Sequence, residues 1–302
     1  MHLNLALGTT RNALMKTPIL RKYETKLVEV NDQLCYFLFS DAEVEAHLDK
    51  TTAESGEAFT TNIFPDNRFS ERLHIKVSAL PLFRKQAFHT TAGVSLIAAV
   101  EYMLYYIEEI ERYRAKVLPS VHDSLHSNKP EEQLENKLKE WSGKAPNNAI
   151  IKTIKYLRLR RNHIAHLNDE MSQDFKSLIR NDATQLNNYW KSRETEIYDF
   201  DFAKTDFSLF SESESLALIN LTRVCLKIID EIILSTIEPT IIAQYEIIEF
   251  LKKKSINGLT DSKKSSKFRG MLVSKYGSGI GCTDEEFEAY AKVLSKKIDS
   301  EH

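Results

Sequence analysis

Along this chain the apolar positions Leu96, Val100, Met103, Ile107, Ile110 and Val117 recur at spacings of four, three, four, three and seven. Those spacings place one apolar stripe on a helix, and Pro119 supplies its stop. A second stripe, Leu218, Leu221, Cys225, Ile228 and Ile232, predicts a helix that resumes near residue 213 and breaks at Glu238-Pro239. Shorter helices are expected at "EEQLENKLKEW", led by acids as the helix dipole prefers, and from Pro146-Asn147-Asn148 onward. Others are expected near 172–191, over "TIIAQYEIIEFLKKK", and from Thr283 to Lys297. The first 85 residues read differently: "KLVEV" and "LCYFLF" look like short strands, and "FTTNIFPDNRFSERLHIKV" like loop and strand. The expected fold class is mainly α. Residues 1–85 form a small irregular or α+β region, 86–254 a helical bundle, and 255–302 a basic linker with a C-terminal helix.

Composition supports long elements. Only 9 Gly and 7 Pro occur in 302 residues, so turns are few, which argues against a sandwich or barrel. Apolar content of 42% and charged content of 28% are ordinary for a globular chain. The net charge of −2 means that any affinity for nucleic acid must come from a local patch. Cys35, Cys225 and Cys282 are odd in number and far apart, which suggests no disulfide framework and a reducing compartment. No run of 18 apolar residues occurs and the N-terminus lacks a basic leader, so the expected location is cytoplasmic, with no membrane partner.

One such patch exists. From Trp141 to Asn168 there is no acid, while Lys144, Lys152, Lys155, Arg158, Arg160 and Arg161 supply six positive charges. With Ile150 set at zero on a helical wheel, Ile154, Leu157, Ile164 and Ala165 define the expected buried stripe. Arg161 falls at about 20°, near the centre of that stripe. Asn162 and His166, four residues apart, share one flank, and His163 points away from them. Burying an unpaired guanidinium costs several kcal/mol, so Arg161 must meet an anion, a subunit interface or a water-filled groove. A basic helix with an inward arginine suits a phosphate-bearing ligand, with Lys155, Arg158 and Arg160 as RNA-binding residues.

"RNHIAH", residues 161–166, resembles the signature of the HEPN superfamily: Arg, a polar residue, three to five more, then His, within a helical bundle. The preceding helix "SLIAAVEYMLYYIEEIERY" is similar to that superfamily's earlier core helix, where Glu101 or Glu108 matches an acidic residue facing the site. The resemblance spans roughly residues 86–236. It implies a metal-independent endoribonuclease of antiviral defence or a toxin-like system, with a composite site across a homodimer. Its implied partners are RNA, a second copy, and a regulatory protein or antitoxin; no cofactor or metal is implied. Arg161, Asn162 and His166 would be the catalytic residues, with Glu101 in support. A non-catalytic HEPN-type module that docks RNA or a protein is the alternative.

Those residue types fit the chemistry. RNA is cut without metal when its 2′-OH attacks the adjacent phosphate. Histidine can move the proton near neutral pH, and arginine can hold the developing phosphorane charge. On an ideal wheel Arg161 and His166 diverge by about 140°, which suits two helices facing each other better than one. The structural readings are Arg161 paired with Glu101, Glu108 or Asp230, His166 as a C-terminal residue favoured by the dipole, and His163 as a solvated flank residue.

Three further signals are weaker. His122 and His126 have metal-compatible spacing but lie between prolines with no zinc-motif glutamate. Between Lys252 and Lys275, eight Lys and Arg face one acid, Asp261, which reads as an RNA-contacting arm or a solvated linker. "KYGSGIGCTDEE" looks like a phosphate loop, but the helix it opens starts with three acids, and Thr283 with Glu286 makes a capping box instead.

Overall fold

The computed structural model describes residues 15–119, 129–165, 170–193, 200–207 and 210–300. These residues are mostly helical, and among them an isolated bridge between Phe59 and Lys76 stands in place of any strand. In chain order the helices are α1 (Pro18–Ser55), α2 (Thr60–Ile63), α3 (Ser70–Leu73), α4 (Leu80–Val117), α5 (Pro130–Ser142) and α6 (Asn148–Ala165). They continue with α7 (Gln173–Lys191), α8 (Glu212–Ser235), α9 (Pro239–Leu251), α10 (Asp261–Tyr276) and α11 (Asp284–Ser300).

The mainly-α expectation holds, but its α+β component does not. "KLVEV" and "LCYFLF" lie inside α1, a single helix of 38 residues. Leu20, Tyr23, Leu27, Val30 and Leu34 are all buried, at spacings of three and four. That periodicity extends beyond either apolar run and outweighs their local β preference. The other side of α1 leaves Tyr36 and Phe39 exposed, so the run "LCYFLF" is not a core strand. The supposed linker after residue 255 is also helical, since α10 occupies Asp261–Tyr276 and buries Phe268, Leu272 and Tyr276.

Two compact units divide the chain. Among the described residues, one is drawn from Met1–Thr25, Met103–Ile151 and Arg223–His302, the other from Lys26–Tyr102 and Lys152–Thr222. Each is assembled from separated stretches, so neither the 85/86 nor the 254/255 boundary divides them. In the first unit a buried carboxylate organises the start of the described chain. Asp230 accepts hydrogen bonds from the Thr17 backbone N–H (2.9 Å), the Thr17 hydroxyl (2.5 Å) and the Tyr106 hydroxyl (3.1 Å). Burial, opposed by those donors, pushes the Asp230 carboxyl up to about 6. Farther along, Tyr113 donates to Tyr276 (3.0 Å), and Tyr276 donates to Glu246 (2.5 Å), which also pairs with Lys275. Phe250, Phe268 and Phe287 join α9, α10 and α11 in one aromatic cluster. At the start of α11, Thr283 and Glu286 exchange the two hydrogen bonds of a capping box, at 2.8 and 3.1 Å.

The second unit carries the basic helix. The expected stripe of α4 is buried along its whole length, from Leu96 to Val117, and the helix begins at Leu80, earlier than its stripe suggests. Among the described residues one helical stretch, Val77–Val117, is long and apolar enough to cross a membrane by length and composition, with 44% of its apolar window buried in the protein. Core helices of globular proteins meet the same criterion. α7 is capped by Ser172, whose side chain accepts the Phe175 N–H at 3.3 Å, and it buries Phe175, Leu178, Ile179, Ala183, Leu186 and Trp190 on one face.

Candidate functional site

α6 starts where expected. Asn147 accepts the Ala149 N–H through its side chain (2.9 Å), as an N-cap does. The arc that α6 buries is rotated from the expected one. Thr153, Ile154, Tyr156, Leu157 and Arg160 have no exposed surface, while Ile164 is half-buried and Ala165 exposed. The cause is tertiary. Tyr156 packs its ring edge-on against Phe175, Phe200 and Phe202, and Trp190 donates its indole N–H to Thr153 (2.9 Å). Phe200, Phe202, Phe207 and Phe210, from a far part of the chain, thus cover a face outside the stripe that the wheel predicts.

The permanent charge in the core is therefore Arg160 and not Arg161. The Arg160 guanidinium pairs with Glu214 and donates to the Tyr156 hydroxyl (3.0 Å). It lies 4.5 Å from the Phe207 ring centre and 5.2 Å from that of Phe210. Glu214 is buried as well, and its second oxygen takes Lys204 at 2.6 Å. Burial alone would raise the Glu214 carboxyl; Arg160 and Lys204 outweigh it and hold the carboxyl below its ordinary range. Arg160, expected to contact RNA, presents no surface to it.

Arg161 is 26% exposed in its side chain and pairs with Glu101, which is 30% exposed. A second guanidinium nitrogen donates to the Asn162 side-chain oxygen (2.8 Å), and Nε is buried without a partner. Arg161, Asn162 and Glu101 therefore meet in one cluster on the last turns of α6, where the helix dipole favours a cation. Gly93 lets α4 approach closely here: a Cβ on it would sit 3.3 Å from the Ile164 side chain. The other carboxylates considered for Arg161 lie elsewhere. Glu108 is exposed beside Arg112, and Asp230 belongs to the other unit with Thr17 and Tyr106. Arg161 thus has a partly exposed carboxylate partner within its own unit. His166 itself, with Leu167, Asn168 and Asp169, lies outside the described residues, as do His122 and His126.

Beside the cluster is a recess of about 470 Å³ lined by Leu159, Asn162, His163, Glu170, Gln173 and Asp174, with Ser172 at the start of α7. Asn162 thus belongs to both features. His163 is not a solvated flank residue. It is half-buried, its ring meets Phe207 edge-on at 5.7 Å, and its Nδ1 is buried without a partner. Burial first, and the nearby Arg160 charge second, hold this imidazole below the usual histidine range.

Known proteins offer no guide to these features. No protein-family profile, curated protein or solved structure matches the chain. Among the described residues no three His, Cys, Asp or Glu side chains come together as a metal-ligand set. Of the expected RNA-binding residues, Lys155 and Arg158 are half-buried. Lys152 is engaged with Asp182 at 2.6 Å. Sequence reasoning missed the cage around Arg160. Its carboxylate, Glu214, sits in "SESES", an acidic run that reads as solvated, and its aromatic walls sit in a connection. A completely buried arginine requires such a partner, but nothing local identifies which acid supplies it.

Proposed function

We propose that this protein is a metal-independent endoribonuclease of HEPN type, acting in antiviral defence or a toxin-like system. The observation that supports it is the cluster of Arg161, Asn162 and Glu101, partly exposed at the rim of a recess and a few residues before His166. In this reading the ribose 2′-OH attacks the adjacent phosphorus and the bond to the 5′-oxygen breaks. A 2′,3′-cyclic phosphate and a 5′-OH end result. His166 moves a proton as acid or base, Arg161 holds the phosphorane charge, and Asn162 keeps the guanidinium oriented. Glu101 holds Arg161 in the resting state. Both groups are partly in water, so exchanging Glu101 for a phosphate costs only about 0–1 kcal/mol of pairing.

Two copies would complete the site, since Arg161 and His166 diverge on one ideal helix. The reading is tested by cleavage of single-stranded RNA in EDTA, with end-group analysis. Expected are cyclic-phosphate ends, and loss of cleavage in His166→Ala. Products with a 3′-OH, or cleavage that survives His166→Ala, overturn it. Light scattering and complementation between Arg161→Ala and His166→Ala subunits test the composite site, and a fully active monomer excludes it.

One observation favours a second reading. Glu101 and Asn162 already occupy two nitrogens of Arg161, as in a structural ion pair. A non-catalytic module that docks RNA or a protein would show salt-sensitive RNA binding without cleavage.

A further inference from the structure

The recess next to Asn162 has a chemistry that phosphate binding does not use. Its walls combine the apolar Leu159, the flat imidazole of His163, the amides of Asn162 and Gln173, and the carboxylates of Glu170 and Asp174. An anion is a poor occupant. Two carboxylates face it, and the Ser172 side chain already takes the Phe175 N–H at the start of α7. Among the described residues the His, Asp and Glu side chains here do not come together as a metal-ligand set. What remains is a neutral, flat group rich in hydrogen-bond donors. The volume of about 470 Å³ has room for a planar heterocycle.

Guanine meets that description best of the four RNA bases. Its Watson–Crick edge presents two adjacent donors, N1–H and the N2 amino group, which match the two oxygens of one carboxylate. Adenine and cytosine place an acceptor beside their amino group, and uracil sets one N–H between two carbonyls, so each would aim a lone pair at the carboxylate. Proteins that read single-stranded RNA commonly use this edge together with an aromatic or imidazole face.

We propose that the recess is a guanine-binding site, with Glu170 accepting from N1–H and N2–H₂, His163 lying against the ring, and Asn162 linking the base to the cluster at Arg161. The proposal rests on the ribonuclease reading in one respect: the guanine belongs to the strand whose phosphate meets Arg161. It makes that enzyme guanine-selective at the cut.

Base binding is measured without cleavage. The full-length protein in EDTA is titrated with 5′-GMP and with 5′-AMP by calorimetry. GMP should bind roughly tenfold more tightly, the effect of one charged hydrogen-bonded pair. Glu170→Gln should bring the two nucleotides to within about twofold of each other. Glu170 is exposed, so the variant should fold as the parent does. Equal affinity for both nucleotides overturns the proposal, as does a GMP preference unchanged in Glu170→Gln. So does Mg²⁺ alone, in EDTA-free buffer, displacing GMP through Glu170. Cleavage mapping then separates the two ideas. A protein that prefers GMP but cuts no RNA keeps the recess and loses the ribonuclease. One that cuts RNA with no guanine at the cut keeps the ribonuclease and loses the recess.

Discussion

At Arg160 the guanidinium is wholly buried between two phenylalanine rings and met by a buried carboxylate; one residue later, at Arg161, it is a quarter exposed and met by an acid that is itself partly in water. The two side chains carry the same charge on the same turn of α6. In the first region the guanidinium is sealed from solvent and paired with Glu214, so the charge serves packing and is out of a ligand's reach. In the second the pair can open toward water at small cost, so the charge is available. Partner exposure, more than partner identity, separates a structural arginine from a candidate functional one.

The largest effects should come from the buried region. Glu214→Ala leaves the buried Arg160 guanidinium uncompensated and should cost about 3–5 kcal/mol in urea unfolding; Arg160→Ala leaves Glu214 with the partly exposed Lys204 alone and should cost somewhat less. Replacing both by leucine should restore a good part of that loss. Single variants that unfold within about 1 kcal/mol of the parent would show that the cage is dispensable.

Next comes the open region, where activity and stability should part. Arg161→Ala should lower RNA cleavage by about 10²-fold or more, comparable to losing an oxyanion donor, while shifting stability by less than about 1 kcal/mol. His166→Ala should lower cleavage by about 10²–10⁴-fold. An Arg161→Ala protein that is destabilised as much as Arg160→Ala would place both arginines in the structural class.

A smaller effect links the two regions through pH. His163 sits near Arg160 and is held below the ordinary histidine value of 6.5. A histidine depressed in the folded state contributes stability above its unfolded pKa, and that contribution is lost as pH falls through 6.5 toward the folded value. The His163 ring resonance should therefore titrate below 6.5 in a histidine NMR titration, and a midpoint at or above 6.5 would contradict its burial against Phe207. Residue-specific detection is needed because Asp230, raised to about 6 by burial, works in the opposite sense. Its native form prefers the proton, so its contribution is full below the ordinary value of 3.8 and declines as pH rises toward 6. The smallest effect belongs to Glu101→Gln. It should free Arg161 and tighten single-stranded RNA binding at low salt by roughly threefold, in line with a pair worth under about 1 kcal/mol. Weaker binding would instead show that Glu101 positions the guanidinium for its ligand.

Features set by neighbouring residues were legible without the structure. The stripe from Leu96 to Val117, the break at Pro239, the Asn147 cap and the Thr283–Glu286 capping box each depend on residues within a turn or two of one another. The meeting of Arg161 with Glu101, 60 positions apart, was one of three pairings the sequence left open, beside Glu108 and Asp230, and only the structure chose among them. The rest depended on distant chain. Whether "LCYFLF" is strand or helix was settled by a periodicity running from Leu20 to Leu34. Which face of α6 is buried was settled by aromatic residues between 175 and 210 folding over Tyr156 and Arg160. A sequence prescribes how often a helix turns a side chain inward, since that follows from local backbone geometry. It does not prescribe which arc is covered, because burial is a property of whatever surface arrives from elsewhere in the chain. For this protein that arrival made Arg160 a core residue and left Arg161 partly exposed.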